Sequence, residues 1–160
     1  MTSLHWYPIQ PETAGAVREL RMGELNRKPE GHGLNLSPAA VGVLIAEDFP
    51  LYRRFVCSTL AQRPELQVIA EVSDGLEAVQ KAVELKPDLI LLDIGLPTMN
   101  GIDAARRIRA LVPNAKIIFL SQETSADVIE EALSTGARAY VQKAKAGSLL
   151  LAAIDAIILE

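Results

Sequence analysis

Leu89-Ile90-Leu91-Leu92-Asp93 sets the reading of this chain: an unbroken apolar run closed by a carboxylate. Three other stretches repeat the pattern. Val41-Gly42-Val43-Leu44-Ile45-Ala46 precedes Glu47-Asp48, Ile117-Ile118-Phe119-Leu120 precedes Ser121, and Ala139-Tyr140-Val141-Gln142 precedes Lys143. A short apolar run without alternation is a strand covered on both faces, as in a parallel sheet. Open parallel sheets bind ligands beyond the carboxyl ends of their strands. The carboxylates of Glu47, Asp48 and Asp93, the Ser121 hydroxyl and the Lys143 ammonium are therefore expected to converge at one sheet edge. Carboxylates hold a hard divalent cation, and cation, hydroxyl and ammonium together can hold a phosphoryl group.

Helical patterns lie between the runs. Pro50 suits a first helical position, with Tyr52, Phe55, Val56 and Leu60 as an apolar face and Pro64 as the stop. Leu66 to Val72 reads as a further strand. Leu76, Val79 and Val83 form a stripe ended by Pro87. A loop with Gly95, Pro97 and Gly101, shaped by Thr98 and Asn100, leads to a helix bearing Ile102, Ile108 and Val112. Thr124-x-x-Asp127 reads as a capping box before Val128, Ile129, Ala132 and Leu133, with Gly136 as the stop. Leu150, Leu151, Ile154, Ile157 and Ile158 line a last helix. Strict alternation predicts a doubly wound parallel sheet of five strands with five helices. No G-x-G-x-x-G follows the first strand, and the turn there is acidic, which repels a pyrophosphate. The flavodoxin-like order 2-1-3-4-5 is therefore expected over a Rossmann order.

Residues 1–40 stand apart, with four prolines, four glycines and no sustained apolar period. They read as an N-terminal extension, poorly structured or holding a short helix with Val17, Leu20 and Leu25. His5 and His32 have no Cys or His at ligand spacing and read as solvated. The whole chain of 160 residues is 49% hydrophobic and 22% charged, ordinary for a globular protein. A net charge of −4 gives no support for direct nucleic-acid binding by this segment. The single cysteine, Cys57, excludes an intrachain disulfide and reads as core filler. No run reaches membrane-spanning length, and no basic start precedes an apolar core. A cytoplasmic location is the expectation.

Taken together, residues 41–160 resemble the receiver domain of bacterial two-component response regulators. The resemblance rests on Glu47-Asp48, on the segment Leu91-Leu92-Asp93-Ile94-Gly95-Leu96-Pro97-Thr98-Met99-Asn100-Gly101, on Ser121 and on Lys143. Leu92-Asp93-Ile94-Gly95-Leu96-Pro97 and Gly136-Ala137-Arg138-Ala139-Tyr140 resemble the NarL/FixJ-type subgroup most. The resemblance implies that Asp93 is the phosphoacceptor, fed by a sensor histidine kinase or a phosphotransfer protein. It implies Mg²⁺ on Asp48, Glu47, Asp93 and the Gly95 backbone carbonyl. Lys143 pairs with Asp93 and then with the phosphoryl oxygen. Ser121 and Tyr140 act as switch residues that repack the surface of the last two helices, with homodimerisation left open.

The sequence departs from the family at Gln122, usually a small residue, and at Ala144, commonly a proline in a cis peptide. Without that proline a trans bond is expected, since a non-proline cis bond costs about 2.5–4 kcal/mol. The subgroup implies a DNA-binding domain beyond the chain, and the end at Ile157-Ile158-Leu159-Glu160 reads as a cut just past the last helix. A stand-alone receiver is the other reading. Mg²⁺-dependent phosphatases of the haloacid-dehalogenase type and Toprim-like enzymes need a D-x-D, and Gly95 stands where the second acid belongs. A module that never meets phosphate is the third rival. The chain is thus expected to be a phosphoacceptor and not an enzyme acting on a diffusible substrate.

Overall fold

The computed structural model describes residues 39–159. The readings placed on His5, His32 and a helix through Val17, Leu20 and Leu25 lie outside them. Burial sorts the strands. β1 (Val41–Ala46), β3 (Leu89–Leu92), β4 (Lys116–Ser121) and β5 (Ala139–Gln142) are buried almost throughout. β2 (Leu66–Val72) buries only its ends. All pairings are parallel, in the order β2-β1-β3-β4-β5. This is the flavodoxin-like order expected.

The helices α1 (Pro50–Leu60), α2 (Gly75–Leu85), α3 (Gly101–Leu111), α4 (Ala126–Ser134) and α5 (Ala146–Ile158) cover both faces. Val43 and Ile45 of β1 pack with Val56 and Leu60 of α1 and with Leu150, Ile154 and Ile157 of α5. Leu44 and Ala46 point to the other face, among Ala78 and Ala82 of α2, Ala105 and Ile108 of α3 and Ile129 and Ala132 of α4. The period of two along β1 thus feeds two separate cores. A single 3-10 turn, Lys143–Lys145, joins β5 to α5. Every described peptide bond is trans, Lys143–Ala144 included.

Several local expectations need correction. Leu76 and Val83 are not the buried stripe of α2; they are exposed, and Gly75, Ala78, Val79 and Ala82 are the buried residues. Small residues let this helix sit close, which a search for large apolar residues overlooks. Phe55 on α1 is likewise 39% exposed. Pro64 does not stop α1: the chain leaves the helix at Leu60 through turns in which Gln62 N–H donates to Thr59 and Arg63 N–H to Leu60. The α2 stop is Lys86 in a left-handed conformation, one residue before Pro87. The capping box is absent, because Ser125 and not Thr124 precedes α4 and it makes no side-chain cap bond. Cys57 is only half-buried, and its thiol donates to the Glu71 carboxylate at 3.4 Å.

The loop from Asp93 to Gly101 is folded tightly. Thr98 adopts φ 67° and Met99 N–H donates to the Pro97 carbonyl at 2.7 Å. Asn100 then caps α3, its side chain accepting from Asp103 N–H at 2.9 Å. Gly101 N–H donates to the Ile94 carbonyl at 2.7 Å, so α3 begins directly against the end of β3. A Cβ on Gly101 would lie 2.0 Å from the Asp93 carbonyl oxygen, whereas one on Gly95 would meet nothing within 4 Å.

Gly101→Ala is therefore expected to push α3 away from Asp93 and cost about 1–3 kcal/mol, the usual range for overpacking. Gly95→Ala is the control and is expected to change stability little. Urea unfolding of both variants checks the contrast; equal stabilities would show that α3 moves aside at no cost.

Candidate functional site

Strand register gathers the polar residues. Ala46 of β1 lies beside Leu92 of β3, Leu92 beside Phe119 of β4, and Ser121 beside Gln142 of β5. β4 and β5 run on past the end of β3, so Ser121 and Lys143 overhang by one to two residues the level at which Glu47 and Asp93 leave the sheet. Glu47, Asp48, Tyr52, Asp93, Gly95, Ser121, Gln122 and Lys143 line one cleft of about 580 Å³. The expected convergence is present, and Gly95, Gln122 and Ala144 border it as well.

Lys143 sits at its centre. Its Nζ is 2.6 Å from Glu47 Oε2 and 3.1 Å from Asp93 Oδ2. Glu47 is 3% exposed, and its other oxygen accepts from Phe49 N–H at 2.9 Å. Asp93 is 7% exposed, and its Oδ1 accepts from Gly95 N–H at 3.4 Å. Asp48, by contrast, is exposed at the mouth. Burial pushes the Glu47 carboxyl up, against the lowering effect of Lys143 and the Phe49 N–H. Burial also works against the Lys143 charge, but the Glu47 and Asp93 carboxylates outweigh it and hold the ammonium above its ordinary value. Lys143 therefore stays charged between two buried acids.

The acidic trio has its own geometry. Among the described residues, Glu47, Asp48 and Asp93 each offer a carboxylate oxygen within 4.8 Å of the others. No other group of three or more metal-ligating side chains occurs among those residues.

Ser121 and Tyr140 meet at one residue. Ser121 Oγ accepts from Glu123 N–H at 3.2 Å, and the Tyr140 hydroxyl donates to the Glu123 carbonyl at 2.8 Å. Both side chains are buried, Tyr140 fully, so Tyr140 already points inward under the β4–α4 loop. Glu123 was not singled out from sequence, since its backbone and not its side chain is held. Tyr52 was read only as part of a core face. It does pack against that core, and it also lines the cleft, its hydroxyl donating to the Lys143 carbonyl at 3.2 Å. Its place in the first turn after the acidic pair was the available signal. Gln142 is a third omission: it borders the cleft, 6% exposed, and its Nε2 has no partner among the described residues.

Removing the central cation orphans two carboxylates. Lys143→Met is expected to cost about 2 kcal/mol, less than the full penalty for a buried charge because the cleft is open. Adding Glu47→Gln to that variant is expected to restore part of the loss. Urea unfolding in metal-free buffer checks both; a stable Lys143→Met protein would show that the pairing is neutral.

Comparison with known proteins agrees with this geometry. Residues 43–155 match the response regulator receiver domain family. The chain is 34% identical over 114 residues to the transcriptional regulatory protein LnrK of Bacillus subtilis, covering 71% of this chain and 52% of that one. It is 36% identical over 115 residues to the chemotaxis protein CheY of Thermotoga maritima, covering 72% of this chain and 95% of that one. A two-component response regulator of the LuxR family from Aurantimonas superposes with a TM-score of 0.72 at 30% identity, over 76% of this chain and 86% of that one. The chain spans about half the length of LnrK. Over its alternating α/β part, the chain belongs to the response regulator receiver domains, the units through which phosphorylation controls signalling.

Proposed function

We propose that Asp93 accepts a phosphoryl group from a phosphohistidine on a sensor histidine kinase or a phosphotransfer protein, and that the acyl phosphate controls an output. The observation that carries this reading is the Lys143 ammonium placed between Glu47 and Asp93. An oxygen–phosphorus bond forms on the Asp93 carboxylate as the phosphorus–nitrogen bond breaks, and the freed imidazole nitrogen keeps the bonding pair. Lys143 stays within reach of the oxygen on which charge gathers, which lowers the barrier. Its compact ammonium can follow that charge from carboxylate to phosphoryl.

The donor set fits a hard divalent cation, and Mg²⁺ is the one assigned. All three side chains offer oxygen, close enough together to share one ion. Asp48 faces solvent, which suits an ion that keeps several waters. Asp48 and Asp93 would hold it directly, Glu47 directly or through water, and the Gly95 carbonyl would complete the set. Bound there, the cation supplies charge neutralisation for the transferring group. Glu47 would first release Lys143 from its 2.6 Å contact.

Ser121 and Tyr140 carry the signal outward in this reading. A phosphoryl oxygen accepts from the Ser121 O–H while Glu123 N–H still donates to its Oγ, so a shift of Ser121 toward the phosphoryl draws with it the segment that leads into α4. Tyr140 follows because its hydroxyl holds the same residue. Small shifts of this kind flip packed surfaces between two arrangements. The output assigned is transcription, through a DNA-binding domain outside residues 41–160, with the protein in the cytoplasm and residues 1–40 as an extension. A stand-alone receiver is the second reading, since CheY is covered over 95% of its length. No helix among the described residues is long and apolar enough to cross a membrane.

Incubation with acetyl phosphate and Mg²⁺ is expected to add one phosphoryl mass to the protein, and omission of Mg²⁺ or Asp93→Asn to abolish it. Equal labelling of Asp93→Asn would move the acceptor elsewhere. Ser121→Ala is expected to take up phosphate yet lose the change in amide exchange across residues 124–135. A wild-type exchange pattern in that phosphorylated variant would return Ser121 to the role of a turn residue.

A further inference from the structure

The proposed phosphoryl chemistry needs Lys143 in one place, and its backbone is held locally by a single short turn. Lys143 opens a single 3-10 turn, and the next residue is Ala144, with no ring to restrict the chain. Short turns of this type have poor hydrogen-bond geometry. The turn's own bond to the Lys143 carbonyl comes from Ala146 N–H.

Tyr52 supplies a second constraint from across the molecule. Its hydroxyl donates to that same carbonyl at 3.2 Å, using the second lone pair. Its ring lies under the ammonium, with Nζ 4.7 Å from the centroid. One side chain from α1 thus holds Lys143 at both ends, backbone and charge. Tyr52 is in turn braced by Phe55, whose ring centroid is 5.4 Å away. The tip of Phe55 lies 3.8 Å from where a Cβ would stand on Gly147, so the brace runs on to the start of α5. We propose that Tyr52 is a positioning residue for Lys143. Its hydroxyl fixes the Lys143–Ala144 peptide and its face supports the ammonium, so that Nζ points at Asp93.

The proposal rests on the function assigned to Lys143, and the test separates the two. Tyr52→Phe keeps the ring and removes the hydroxyl, and its near-identical shape preserves folding. The first readout needs no phosphate. The side-chain ammonium signal of Lys143, followed by ¹⁵N NMR in metal-free buffer, reports its protection from solvent exchange. Tyr52→Phe is expected to speed that exchange about three- to tenfold, the span of one ordinary hydrogen bond. The second readout is labelling by acetyl phosphate at saturating Mg²⁺, expected to slow by a similar factor, about three- to tenfold, with Mg²⁺ affinity unchanged. In a Lys143→Ala background the same Tyr52 change is expected to have no effect on the residual rate, since Tyr52 acts only through Lys143. Unchanged ammonium exchange in Tyr52→Phe overturns the proposal, as does equal slowing with and without Lys143. Failure of the wild-type protein to take up phosphate would instead overturn the function assigned to the site, leaving the exchange measurement to decide Tyr52.

Discussion

The contact of the Lys143 ammonium with the Glu47 and Asp93 carboxylates is the interaction on which the rest of the site depends. Two nearly buried acids beside one another repel, and each loses hydration. A cation held between them makes the arrangement tolerable. The sheet makes it unavoidable, because register brings the ends of β1 and β3 together and β5 delivers Lys143 from the far edge. A layer of close-packed apolar side chains beneath leaves these groups no means of retreat. The site is thus a polar cluster imposed by an apolar scaffold, and any bound cation must first take over part of the work Lys143 does.

That arrangement connects to the surface at two places. On one side, Tyr52 couples Lys143 to α1 and, through Phe55, to the start of α5. On the other, Ser121 and Tyr140 grip the N–H and the carbonyl of Glu123. A residue held at both its N–H and its carbonyl by side chains of neighbouring strands does not move by degrees. Either both bonds follow a displacement or one is given up, which is the kind of choice that makes a packed surface bistable. The loop before α4 has no side-chain cap of its own, so its position is set from the sheet side.

Two kinds of error separate the sequence-based picture from the structure, one in the helix faces and one in the helix ends. Helix faces were sought as stripes of large apolar residues, and beside the expected Val79 α2 buries Gly75, Ala78 and Ala82 in place of Leu76 and Val83. Close approach there is enforced by neighbours: a Cβ on Gly75 would fall 1.8 Å from the Met99 carbonyl oxygen. The cleft contact of Tyr52 was hidden because an aromatic at helical spacing reads as core, which Tyr52 also serves. Thr124 matched a capping pattern, yet α4 begins after Ser125 because Ser121 and Tyr140 dictate the path of the preceding loop.

The sequence by itself determined the strands, their alternation with helices, the parallel order and the residues at the carboxyl edge. Those features follow from local runs of apolar residues and from the general rule that parallel strands present their carboxyl ends to a ligand. Tertiary structure alone decided the partners. That Lys143 touches Glu47 more closely than Asp93 and that Tyr52 holds the Lys143 peptide are relations between residues 50 to 96 positions apart, and they also decide that Glu47 is buried while its neighbour Asp48 stays exposed. Such relations depend on register and helix placement to within an ångström or so, and no local pattern in the chain encodes a distance across the sheet.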